Sequence, residues 1–250
     1  MPAVLASLQG DVLEVSAGTG RNLKYYDLHC GVQSLTLTDG NKQMLQTAYD
    51  KFRDMGKEPQ ARVRFTLADA QSLSSSGAGS SSDVPQEAPP QTAQQEPCFG
   101  PQVQAPAAFA PQQFDYVVDT FGLCSCDDPV QALKVRAAAS PYQGAHKRCR
   151  RSGGYTSCPP TPEWLQEMAR VCKPGGRLLL LEHGRGSWNF VNGILDGGEE
   201  AHCKKWGCKW NRPIAELVAQ AGLDVESLTR WHFGTTYVIT ARPKQVSQAM

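Results

Sequence analysis

The chain has 250 residues, with 25 Lys and Arg against 24 Asp and Glu and a formal net charge of +1. A balance so close to neutral excludes a global field that recruits nucleic acid, an anionic membrane or acidic substrates. Hydrophobic residues make up 40% of the chain, enough to build a core.

The longest aliphatic run, Leu178-Leu179-Leu180-Leu181, is closed by Glu182 and is far too short for a membrane span. The first residues, Met1-Pro2-Ala3-Val4-Leu5, lack the basic start of a signal peptide. Nine cysteines stand at irregular spacings. The odd count argues against a disulfide framework and for a reducing compartment.

Residues 12–15 form a short aliphatic run ended by small residues, which predicts a buried strand entering a tight turn. Residues 21–28 can form the helix that follows. A second strand is expected at 34–38, a helix at 41–52 and a third strand at 63–67. Residues 72–113 then break the pattern with Ser, Gln, Gly and Pro. Such a composition buries too little apolar surface to offset its ordering entropy and predicts a disordered insertion.

The fourth strand is expected at 114–120, and Asp127-Asp128-Pro129 signals the start of a helix. A second loop-like insertion covers 137–162. A helix at 163–172 is stopped by Lys173-Pro174-Gly175-Gly176, and 177–182 is the fifth strand. An irregular stretch leads to a helix at 214–221 and two strands, 225–231 and 236–241, around Gly234. Alternation of strand and helix predicts an α/β fold. Its seven-stranded, mostly parallel, doubly wound sheet carries helices on both faces and ends in an antiparallel hairpin.

The first turn, Glu14-Val15-Ser16-Ala17-Gly18-Thr19-Gly20, carries the chemistry. Gly18 and Gly20 tolerate positive φ and let backbone approach a ligand. Asp39, at the end of the second strand, can accept from a ribose diol. Together they indicate an adenosine cofactor without saying which. A dinucleotide turn needs a third glycine, and Leu23 stands in its place. Asp69 can accept from an adenine amino group, with the Ala70 backbone N–H beside it. Asp119 and Phe121 end the fourth strand at the ligand-binding edge of such sheets.

Three histidines, His183, His202 and His232, are candidate bases, with His183 favoured because it follows the fifth strand. The stretch 188–210 is rich in Trp, His and Gly and can wall an apolar pocket or pack as a loop over the sheet. His202, Cys203 and Cys208 lack the paired spacing of a zinc knuckle, so no metal is assigned. The basic cluster 146–151 has no interleaved aromatic face and reads as a solvated loop.

Residues 11–22, Asp69-Ala70-Gln71, Phe114-Asp115-Tyr116-Val117-Val118 and Lys173-Pro174-Gly175-Gly176-Arg177 resemble the motifs of class I S-adenosylmethionine (SAM)-dependent methyltransferases. The ubiquinone/menaquinone-biosynthesis type is the most similar. Leu181-Glu182-His183-Gly184-Arg185, Cys208-Lys209-Trp210-Asn211-Arg212-Pro213 and Trp231-His232-Phe233-Gly234 resemble mitochondrial methyltransferase-like proteins and related thiol methyltransferases. The resemblance covers all but the two insertions.

It implies one methyltransferase domain over the whole chain and SAM as cofactor. Glu14 would open the cofactor turn, and Gly18 and Gly20 would face the methionine end. Asp39 would hold the ribose, Asp69 and Ala70 the adenine, and Asp119 and Phe121 the methyl-donor side. Ser16 stands where many relatives have glycine. The implied acceptor is a small lipophilic, thiol or quinol compound, with no nucleic-acid partner, and the implied compartment is a mitochondrion or other organelle. Relatives carry a longer leader that closes over SAM and can hold a targeting or anchor segment. A chain lacking it could bind membranes only through that missing piece. The competing expectations are a catalytically silent protein of the same fold and an NAD-linked enzyme.

Overall fold

A computed structural model describes residues 2–56, 62–68, 73, 108–125 and 162–244. Asp69, Ala70, the helix signal at 127–129 and the basic cluster lie outside the described residues.

The elements in chain order are α1 (Pro2–Ala6), β1 (Gly10–Val15), β2 (Val32–Asp39), α2 (Lys42–Asp54), β3 (Val63–Leu67) and β4 (Phe114–Thr120). Then come α3 (Pro162–Val171), β5 (Cys172–His183), α4 (Asn189–Trp206), α5 (Ile214–Gln220), β6 (Leu223–Trp231) and β7 (Thr236–Pro243). The seven strands form one sheet in the order β3-β2-β1-β4-β5-β7-β6. All pairs from β3 to β5 are parallel, and β7 runs antiparallel to both β5 and β6. This is the expected architecture, closing hairpin included.

Side chains of adjacent residues divide between the two faces, as the strand period requires. Leu13, Val15, Val117, Leu178 and Leu180 pack with Leu165 and Met168 of α3 and Ile214 and Val218 of α5. Val12, Val118 and Leu179 pack on the other face with Leu5 of α1 and Leu45, Ala48 and Phe52 of α2. Both faces are therefore covered, which is why β5 carries the unbroken run Leu178-Leu179-Leu180-Leu181.

Helix α2 is set by its cap. The Asn41 side chain accepts from Gln43 N at 2.9 Å and Met44 N at 3.2 Å, satisfying two donors that the first turn leaves free. Asn41→Ala is expected to cost about 1 kcal/mol of stability, read as a lower denaturant midpoint with an unchanged slope.

Four expectations need correction. The helix at 21–28 is a single 3-10 turn, Leu23–Tyr25. Its apolar side chains Leu23, Tyr26 and Leu28 are buried without a helix. The Asn22 and Asp27 side chains bond to other groups instead of leaving the backbone to wind, with Asp27 accepting from His29 N and Cys30 N. The stretch 188–210 is mostly the 18-residue helix α4, ended by Gly207 at φ +64°. Lys173-Pro174-Gly175-Gly176 lies within β5 rather than between elements. Finally, both ends of the first insertion belong to the fold. Leu73 is fully buried, Phe109 N donates to Leu73 O at 2.7 Å, and the Phe109 ring meets Phe114 at 5.7 Å.

Among the described residues no helix is long and apolar enough to cross a membrane.

Candidate cofactor site

The strand order reverses between β1 and β4, so their carboxyl ends flank the crevice where open α/β sheets bind ligands. Val15 pairs with Asp119 across this boundary. The turns after β1, β2, β4 and β5 all emerge on this edge.

The turn after β1 is held from two sides. Gly18 N donates to Asp39 Oδ2 at 2.8 Å, and Ala17 N donates to Thr38 O at 2.9 Å. Asp39 also accepts from Asn41 N at 2.7 Å, so one carboxylate joins the first two turns. Gly18 and Gly20 both have positive φ, +54° and +67°. Their surroundings differ. A Cβ on Gly18 would meet nothing within 4 Å, whereas one on Gly20 would stand 2.5 Å from Leu23 Cδ1 and 3.0 Å from Ala48 Cβ. Gly18 thus borders open space and Gly20 packs inward. Ser16, at φ +51°, holds a conformation that favours glycine.

Glu14 lies beneath the turn and is buried. It accepts from Asn22 Nδ2 and from the Tyr26 hydroxyl, each at 2.8 Å. Asn22 Nδ2 also donates to Thr120 Oγ1 at 2.9 Å, linking the turn to β4. Burial pushes the Glu14 carboxyl up to about 7, and the two hydrogen bonds only moderate the rise.

Asp119 is fully buried. Burial pushes it up to about 7, the backbone N–H groups of Gly122 and Leu123 oppose the rise, and nearby Glu14 adds to it. Neither carboxyl oxygen has a partner within hydrogen-bond geometry. Phe121, at φ +62°, turns the chain sharply after β4, and its ring stacks on His183 at 4.4 Å. Glu182, also buried, accepts from Cys124 N at 3.0 Å, and burial beside Asp119 holds its carboxyl well above the usual range.

Of the three histidines, His183 stands at this edge. Its Nδ1 lies 3.3 Å from Cys208 Sγ and 3.8 Å from Cys124 Sγ. His202 stacks on Trp210 at 3.7 Å, and His232 bonds Thr236 Oγ1 at 2.9 Å in the final hairpin. Cys203 is disulfide-bonded, while Cys30, Cys124, Cys172 and Cys208 are free. The sequence motifs assign no role to Asn22, Tyr26, Cys124 or Glu182, although Asn22 and Glu182 stand within them. Asn22 and Tyr26 carried a usable signal, since a buried acid before a glycine turn requires donors nearby.

A separate hollow of about 490 Å³ lies at the amino edge, lined by Asp11, Asp115, Lys173 and Gly176 among others. Lys173 Nζ bridges Asp115 at 2.8 Å and Asp11 at 3.3 Å there, tying β1, β4 and β5 together on the side away from the glycine turn.

Comparison with solved structures fits this arrangement. A SAM-dependent methyltransferase from Aquifex aeolicus superposes with a TM-score of 0.50 at 13% identity, covering 97% of this chain and 87% of that one. A Bacillus halodurans protein assigned as a methyltransferase gives 0.53 at 14%, covering 96% and 93%. The mitomycin 7-O-methyltransferase MmcR gives 0.54 at 13%, covering 97% and 52%. This is the Rossmann-like methyltransferase fold. In sequence the chain is 32% identical over 237 residues to the Saccharomyces cerevisiae protein Methyltransferase OMS1, mitochondrial. That match covers 94% of this chain, which spans about two fifths (39%) of the yeast protein. No family model matches. Within this fold, the carboxyl ends of β1, β2 and β4 and the turns after β1 and β4 carry every described residue expected to hold a cofactor.

Proposed function

We propose that this chain is a SAM-dependent methyltransferase acting on a small lipophilic, thiol or quinol acceptor. The observation that carries the reading is the first turn. Gly18 opens on free space, Asp39 fixes its backbone, and only a 3-10 turn follows. A pyrophosphate needs the N-terminus of a full helix, which this turn lacks. SAM carries no phosphate, so its demands fit the turn better than those of NAD.

Buried Asp119, whose oxygens face the Gly122 and Leu123 N–H groups without full hydrogen-bond geometry, also suits a cofactor bearing an amino group and a sulfonium. Asp39 is the proposed ribose ligand, and Asp69 and Ala70 the proposed adenine ligands. Glu14 is buried, with Asn22 and Tyr26 donating to its carboxyl, whereas Asp39 is half-buried, so the proposed role of Glu14 is to brace the turn from below.

SAM supplies an already activated methyl group on its sulfonium. The protein's share is alignment and exclusion of water. Phe121, proposed on the methyl-donor side, stacks on His183 at the β4 and β5 ends, where donor and acceptor would meet. His183 is the proposed proton acceptor for a nucleophile that arrives protonated. The yeast relative's name places it in mitochondria, and the same compartment is proposed here. Incubation with methyl-labelled SAM and panels of thiols, quinols and other lipophilic acceptors is expected to give labelled small-molecule product. Product from none of them, with SAM bound, would favour a silent member of the fold.

A further inference from the structure

We propose that Cys124, His183 and Cys208 bind a zinc ion, a site distinct from the cofactor turn. The three ligand atoms form a closed triangle, with Sγ–Sγ 3.4 Å and Nδ1 to the two sulfurs 3.3 and 3.8 Å. A tetrahedral zinc with ordinary Zn–S and Zn–N bonds separates two sulfurs by about 3.8 Å and a sulfur and a nitrogen by about 3.6 Å. The observed edges lie within about 0.4 Å of these values.

The three side chains come from different elements. Cys124 follows β4, His183 ends β5 and Cys208 follows α4. Ordinary apolar packing of buried cysteines has no reason to aim three heteroatoms at one point. The backbone holds them there. Lys209 N donates to Cys124 O at 2.6 Å, and Ser125 and Cys208 form an isolated antiparallel bridge. Cys124 N is further pinned by Glu182 at 3.0 Å.

The chemistry of the donors selects the ion. Two thiolates and one neutral imidazole favour a thiophilic cation, and with Zn²⁺ they sum to zero charge. A neutral cluster suits a place where Cys124 and Cys208 are both buried. Three protein ligands leave a fourth position for water or another donor, the open arrangement of a Cys₂His site. With Nδ1 given to the metal, His183 is a ligand, and the proton-acceptor role proposed for it above would belong to the metal-free chain alone.

The test uses the full chain, stripped with chelator and kept reduced. Cobalt titration is expected to saturate at about one ion per chain at these ligands, with thiolate-to-cobalt charge transfer and strong tetrahedral visible bands, and zinc should abolish both. Cys124→Ser and Cys208→Ser should each weaken cobalt binding by more than about 100-fold, since even outer-shell changes cost 10- to 100-fold. Cys30→Ser and Cys172→Ser should bind as the unaltered chain does. Circular dichroism checks that each variant folds, and the spectrum of the unaltered chain decides even where one does not. Absence of the charge-transfer band would overturn the proposal. So would undiminished binding in both folded serine variants, or a Cys124–Cys208 disulfide in protein handled without oxygen.

Discussion

Asp39→Ala is expected to weaken SAM binding by about 100-fold or more, read by calorimetry. That factor corresponds to about 2.8 kcal/mol. Asp39 accepts from Gly18 N at 2.8 Å and Asn41 N at 2.7 Å, and both bonds are charge-assisted. Bonds of this kind are each worth about 1.5–3 kcal/mol. Truncation removes the proposed ribose acceptor and releases Gly18 together. Asp39→Asn separates the two effects. It keeps an acceptor for one backbone N–H, so the fold should survive nearly intact while affinity still falls at least tenfold, or about 1.4 kcal/mol. Unchanged affinity in a folded Asp39→Ala variant would remove Asp39 from the site.

Glu14→Gln is expected to flatten the pH dependence of stability. Glu14 titrates near 7 in the folded chain because it is buried, against 4.5 for an ordinary glutamate. Its folded pKa is raised, so the unfolded chain loses the proton first as pH rises. Stability from this group is therefore fully present below about 4.5, falls between 4.5 and 7, and stays low above. At about 1.4 kcal/mol per pKa unit, the loss is on the order of 3 kcal/mol. Asp119, also raised to about 7, acts in the same direction and remains in the variant. Urea unfolding at pH 4.5 and pH 8 should show a difference smaller by about 3 kcal/mol in Glu14→Gln than in the unaltered chain. Equal differences would mean that Glu14 is not held in a desolvated site.

Much of this was legible in the residues. The limits of β3 and β4 match the expected strands 63–67 and 114–120 residue for residue, because β-branched and aromatic residues dominate both segments. Helix α2 announced itself through Asn41 and a clean apolar face of Leu45, Ala48 and Phe52. Helix α4 did not. It holds Gly193, Gly197 and Gly198, buries only Leu195, and leaves Phe190 and Ile194 exposed, so neither propensity nor periodicity marks it. Contacts from elsewhere hold it. The Trp210 indole donates to Leu195 O, Asn211 to Asp196 and Glu199, and Arg185 pairs with Asp196.

The site divides in the same way. Local motifs revealed Gly18 and Asp39, since the turn chemistry is written in consecutive residues. The Cys124–His183–Cys208 triangle was invisible, because its members stand 59 and 25 positions apart and only the sheet brings them together. Attention to His202 and Cys203, neighbours of Cys208 in sequence, pointed to a ring stacked on Trp210 and a disulfide-bonded sulfur.

The central claim is that the turn from Glu14 to Gly20 is built for SAM. Calorimetric titration of the full chain with SAM, repeated in the presence of NADH, tests it most directly. The account predicts a single SAM site of micromolar affinity that NADH does not displace. Well-folded protein that binds no SAM, or a site that NADH fills in its place, would contradict it.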